Sequence, residues 1–223
     1  MGAVALIRET FPVGMLGCNC SIVACPETRE ALVVDPGDEA PAILKALGRL
    51  GVRAVRLVHT HAHFDHIMGT GDVAAATGAE IVLHKDDRFL YDNLAMQTGL
   101  FGMIAPSPPP PPTRELTADE ALGFGRREAH AIHTPGHTPG STCFFVEGPG
   151  ETPIVFAGDT LFRRSIGRTD LWGGSAPQIQ RSIHERLFTL PDETLVITGH
   201  GPETTIGAEK ESNPFVGRRG RGL

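Results

Sequence analysis

Four times along this chain an apolar, β-prone stretch runs straight into a loop that carries residues of the metal-ligand type. Residues 55–58 lead into HTHAHFDH, 131–132 into HTPGH, 154–157 into GD, and 195–197 into TGH. Strand ends are rigid places from which to aim side chains. The chain therefore has to fold so that several strand ends serve as a platform for ligands.

The densest of these loops is THAHFDH at 60–66, which brings three imidazoles and a carboxylate within six consecutive residues. His61 and His63 are two residues apart, so an extended backbone projects both rings to one side, while Asp65 and His66 sit where a helix would begin. One short turn can then serve two ions. A lone histidine is usually a satisfied core or surface residue, but packing needs no such cluster, and imidazolium ions would repel one another below about pH 6.5.

The other loops add His137, Asp159 and His200, preceded by Gly136, Gly158 and Gly199, where a missing Cβ lets the backbone pass close to the ions. His61, His63, Asp65, His66, His137, Asp159 and His200 suit two divalent ions if one carboxylate bridges. The set contains no thiolate, so zinc, iron and manganese all fit, with zinc taken first. A closed structural zinc uses four ligands and no water, whereas seven ligands shared by two ions leave room for solvent and substrate.

Length and composition bound the rest. The chain has 223 residues, 40 % hydrophobic and 21 % charged, enough for one domain over 1–223 with its own core, and residues 216–223 read as a flexible basic tail. No apolar run reaches the roughly 18 residues that would span a bilayer, and the start lacks a secretory signal. The four cysteines have no zinc-finger spacing, and Cys18-Asn19-Cys20 would make a strained bridge, so reduced thiols in the cytoplasm are expected. A net charge of −6 argues against a nucleic-acid partner.

Strands are expected near 3–11, 20–25 and 30–35, the last two forming a hairpin, then a helix at 40–50 and a strand at 55–58. Helices at 69–78 and 86–97 flank a strand at 80–84, and parallel pairing is expected in this half. Pro106 and Pro108 to Pro112 favour an extended polyproline stretch, read as a stiff surface loop near the site. The second half reads as strands at 114–117, 121–132, 141–146 and 153–157, a helix at 177–188, a strand at 194–198 and a last helix around Glu209 and Lys210. The fold class is α+β, a four-layer αββα sandwich.

With TPGHTPGS at 134–141, AGDTLF at 157–162 and GHGPETTIG at 199–207, the chain resembles the metallo-β-lactamase superfamily. The likeness runs from AspProGly at 35–37 to AsnProPhe at 213–215, and is narrower to small, single-domain glyoxalase II-like hydrolases. The resemblance implies one metal on His61, His63 and His137, a second on Asp65, His66 and His200, and Asp159 bridging. It implies a metal-bridging hydroxide as nucleophile, oriented by Asp65, and hydrolysis of a thioester such as S-lactoylglutathione. The expected partner is an anionic small molecule.

Two departures qualify that expectation. The C-terminal helical domain of full-length glyoxalase II enzymes has no counterpart here, and their Lys-Phe-Tyr segment is replaced by GRTDL at 167–171, which leaves Arg168 as a candidate anion contact. GRTD also resembles persulfide dioxygenases, in which one iron would sit on His61, His137 and Asp159. Against that, GHGPETTIG with His200 is hydrolase-like. A third reading is a metal-binding protein without chemistry. His59 and His84 are read as packing residues that could orient a ligand.

Overall fold

The computed structural model describes residues 5–104, 107–148 and 150–218. Its first sheet grows in chain order. Strand β1 (Ile7–Val13) pairs antiparallel with β2 (Cys18–Ala24), and β2 with β3 (Glu30–Val34). Helix α1 (Ala40–Leu50) then returns the chain to β4 (Arg53–Val58), parallel to β3. Short helices α2 (Phe64–Ile67) and α3 (Thr70–Thr77) precede β5 (Glu80–His84), and α4 (Arg88–Tyr91) and α5 (Leu94–Leu100) precede β6 (Arg114–Leu116). Both strands extend the sheet in parallel, as the alternation of strands and helices predicts.

The second sheet comprises β7 (Glu120–Phe124), β8 (Arg127–His133), β9 (Thr142–Val146) and β10 (Ile154–Gly158). A small hairpin, β11 (Leu161–Phe162) with β12 (Ser165–Ile166), and helix α6 (Ala176–Ser182) follow. Next, β13 (Leu195–Thr198) joins parallel to β10, and β14 (Thr204–Thr205) and α7 (Ile206–Ser212) complete the order β14-β13-β10-β9-β8-β7.

Period-two alternation along strands buried on both faces explains the layers. Leu32, Val34, Val58 and Val82 of the first sheet meet Phe144, Val146, Ile154 and Phe156 of the second in a core between the sheets. Their neighbours point outward. Val33, Leu57 and Ile81 pack under Ile43, Leu47 and Val73 of the first helical layer, while Phe145, Val155 and Val196 pack under Ile179, Ile183 and Ile206 of the other. This is the expected αββα sandwich. Among the described residues no helix is long and apolar enough to cross a membrane.

Local departures have local causes. The expected strand 121–132 is a hairpin, because Gly125 adopts φ +70° and lets the chain reverse within two residues. The expected helix 86–97 breaks at Asp92 and Asn93, where the Asn93 side-chain amide donates to the Phe89 carbonyl at 2.7 Å and competes with the helical pattern. Expected helix 177–188 holds as α6 only to Ser182 and continues as one wide turn, with Phe188 N–H donating to Ile183 O at 2.8 Å.

The proline segment, whose Pro106 lies outside the described residues, rests beside α3. Tyr91 Oη donates to Pro110 O at 2.9 Å, and residues 107–112 do not line the cleft around the ligand loops. The expected basic tail begins too early in the sequence reading. Val216 is buried in the outer core and Arg218 N–H donates to Lys210 O, while residues 219–223 of that tail lie outside the described residues.

Candidate metal centre

The ends of β4, β8, β10 and β13 deliver the candidate ligands, and all seven come together. His61, His63 and His137 form one buried group of ligand atoms, and Asp65, His66 and His200 a second. Asp159, at the end of β10, lies between them. Its Oδ2 is 3.5 Å from His137 Nε2, and its Oδ1 is 3.6 Å from His66 Nε2 and 3.8 Å from His200 Nε2. Within the groups, His61 and His137 approach Nε2 to Nε2 at 3.2 Å, His66 and His200 at 3.3 Å, and His200 Nε2 lies 3.1 Å from Asp65 Oδ2.

These separations match those between atoms that share one metal ion. Good hydrogen bonds cluster near 2.9 Å, whereas two donors on one tetrahedral ion with bonds of roughly 2.0–2.1 Å stand about 3.3 Å apart. Two buried atoms of the set, His63 Nε2 and Asp159 Oδ1, have no hydrogen-bond partner. Leaving such atoms unpaired costs about 1–3 kcal/mol each, which a bound cation would remove. The residues therefore fit a pair of metal ions.

Electrostatics point the same way. Burial, reinforced by neighbouring imidazoles, holds His61 and His63 well below the ordinary histidine pKa, and burial also lowers His137, so this group presents neutral nitrogens. His66 moves upward: burial opposes its charge, but Cys18, Asp65, Asp35 and Asp159 outweigh it. Without an ion the acidic side of the cluster attracts a proton, the place a cation would take.

Around the ligands stands a set of orienting contacts to which the local sequence pattern does not point. Asp35, held at φ +50° where β3 ends, receives Thr60 N–H and Thr60 Oγ1–H at 2.7 and 2.6 Å and pairs through Oδ2 with His66 Nδ1 at 3.0 Å. Thr60 Oγ1 is in turn 3.1 Å from His61 Nδ1. A non-glycine residue in the left-handed region is strained, and such strain gathers at functional sites. His137 Nδ1 donates to the Arg168 carbonyl at 2.8 Å and His200 Nδ1 to the Leu16 carbonyl at 3.1 Å. Each leaves Nε2 free for the centre.

Asp87 is a second such contact. Its buried carboxylate receives Ala62 N–H, between His61 and His63, and also Thr138 Oγ1–H and Gly140 N–H beyond His137. The glycines before the ligands serve closeness of protein to protein more than of backbone to ion. A Cβ on Gly199 would stand 2.1 Å from Asp159 Oδ1, and one on Gly136 2.2 Å from Ile179 N.

Arg168 lines the cleft, but its guanidinium is engaged with Asp170 at 2.8 and 2.9 Å. His59 is a packing residue that joins Thr70 Oγ1 and Val82 O, and His84 stacks on His133 at 4.0 Å between centroids. All four cysteines are free and buried.

Comparison with known proteins gives a consistent picture. A profile of the metallo-beta-lactamase superfamily matches residues 13–200. The hydroxyacylglutathione hydrolase of Haemophilus influenzae is 34 % identical over 93 % of this chain and 97 % of its own. Among solved structures, the BLEG-1 B3 metallo-beta-lactamase superposes with a TM-score of 0.86 at 35 % identity, over 94 % of this chain and 99 % of that one. A protein crystallised in a di-iron-bound form gives 0.82 at 36 % identity, over 93 % and 99 %.

Proposed function

Since this chain belongs to the metallo-β-lactamase superfamily, whose members are typically metal-dependent hydrolases, we propose that it hydrolyses an acyl thioester, of the S-lactoylglutathione kind, at a binuclear centre. His61, His63 and His137 would hold one divalent ion and Asp65, His66 and His200 the other, with Asp159 available to both. The observation that carries this reading is Asp159 itself, with Oδ2 turned to one histidine group and the partnerless Oδ1 to the other. Further support comes from the di-iron-bound neighbour and the hydroxyacylglutathione hydrolase relative. The whole chain acts as one catalytic domain.

Two ions held there would supply Lewis-acid polarisation of the acyl carbonyl and a water whose pKa falls from about 15.7 toward 7. The protein's own part is placement and proton handling. Asp65 Oδ2, 3.1 Å from His200 Nε2, is fixed at the edge of the second group, where it orients the attacking water. Asp35 and Thr60 fix the tilt of His66 and His61, and the Arg168 carbonyl that of His137. A thiolate is a good leaving group, so the chain needs no dedicated acid beside it.

The decisive experiment is metal analysis of the purified protein with parallel assays on S-lactoylglutathione, glutathione persulfide and a β-lactam. About two ions per chain with thioester turnover is expected. One iron per chain with oxygen consumption would replace this reading by the persulfide dioxygenase one. Retained turnover in Asp65→Asn with both ions bound would remove Asp65 from its role.

A further inference from the structure

The cleft over the two ligand groups has a volume of about 280 Å3, small beside ligand pockets of roughly 300–1,000 Å3. Outside the candidate ligands its wall consists of Leu16, Phe64, Phe101, Leu171 and Trp172, together with Gln97 and Arg168. The two polar members are already engaged. Gln97 is fully buried, its Nε2 donates to the Ala62 and Leu90 carbonyls at 2.9 Å each, and its Oε1 receives Phe64 N–H at 3.0 Å. Arg168 is held in a two-point pair by Asp170 at the exposed mouth.

The remaining wall is apolar and accessible. Leu16 is 48 % and Phe101 53 % exposed, the Phe101 ring lies 4.9 Å from that of Phe64, and the Trp172 ring lies 6.3 Å from His63. A glutathione thioester carries two carboxylates and an ammonium group, and charged hydrogen bonds would have to hold them. Among the described residues that line the cleft, Arg168 is the one basic side chain outside the candidate ligands, and it already faces the Asp170 carboxylate. An apolar group would instead gain free energy in proportion to the surface it buries against Phe101, Leu171 and Trp172.

We infer that the preferred substrates are thioesters with an apolar, uncharged acyl group on a short neutral thiol, such as arylacetyl thioesters, and that Phe101, Leu171 and Trp172 determine this specificity. The inference rests on the thioester-hydrolase reading and, within it, sets a neutral thiol carrier in place of the charged glutathione one. Water supplies the oxygen of the new C–O bond, the C–S bond breaks, and the thiol and the carboxylate leave with one further proton released.

The test compares S-phenylacetyl-N-acetylcysteamine with S-lactoylglutathione on the metal-loaded protein. We expect kcat/KM at least tenfold higher for the phenylacetyl compound, and a tenfold or larger rise in its KM in Phe101→Ala and Trp172→Ala. In Asp170→Asn, which frees Arg168, use of S-lactoylglutathione should rise several-fold. Preference of the wild type for S-lactoylglutathione, or an unmoved KM in both wall variants, would overturn the inference while leaving the hydrolase reading standing.

Failure of that reading would look different, with neither thioester cleaved by protein holding two ions per chain. Calorimetry then still decides the nature of the cleft. Phenylacetate should bind at least tenfold more tightly than lactate, and equal binding would overturn the apolar wall.

Discussion

At the scale of single residues, the centre depends on atoms that touch no ion. Gly199 is there because Asp159 leaves no room for a Cβ. Gly199→Ala should therefore displace the carboxylate and leave fewer than two ions per chain at stoichiometric loading, with unchanged far-ultraviolet circular dichroism. Two retained ions would show that Asp159 can shift at no cost. Asp35 acts one bond further out, through His66 directly and His61 by way of Thr60. Loss of such an orienting partner typically weakens metal binding 10–100-fold, so Asp35→Ala should do so in competition with a chromogenic chelator, and an unchanged affinity would reduce Asp35 to a purely structural role.

At the scale of elements, the turn between β5 and α4 fastens two ligand loops through Asp87. Burial outweighs its three hydrogen bonds and pushes this carboxyl up to about 6. The folded state therefore holds the proton more tightly than the unfolded chain, whose value is near 3.9. The stability linked to that proton is present in full below pH 4 and is lost as pH rises through 6, by at most about 3 kcal/mol. In the metal-free protein, the stability difference between wild type and Asp87→Asn, measured by urea unfolding, should shrink from pH 4 to pH 7. A difference independent of pH would refute the account.

This turn also marks where reading the sequence stops. The seven candidate ligands are legible because a histidine or aspartate at the end of an apolar run is a local pattern. Asp35 and Asp87 act on partners 25 to 53 positions away, and no local pattern encodes such a meeting. Strand alternation likewise forecasts the layers, yet Gly125 and Asn93 break elements whose periodicity runs on through the break.

At the scale of the whole molecule, two sheets with three apolar layers of contact build the fold without help from an ion. Chelation should then lower the melting temperature and leave the secondary structure in place. Ligand at about a hundred times its dissociation constant adds roughly 2.7 kcal/mol, and each kcal/mol moves a domain of this size by about 2–4 °C, so a drop of roughly 5–10 °C is expected by calorimetry. Loss of secondary structure on chelation would mean that the core does not stand alone.

Asp65 and the histidines at 61, 63 and 66 follow the first sheet, whereas His137, Asp159 and His200 follow the second. Neither triad of the cage can be completed from one side. An ion held there would work as a caliper on the gap between two slabs, and whatever thickens or thins the filling of that gap, Phe144 or Phe156 included, would reset the jaws at a distance. Affinity for the metal becomes a gauge of how the middle of the molecule is packed, and tolerance for change in those inner phenylalanines is limited by chemistry at the rim as well as by the core itself.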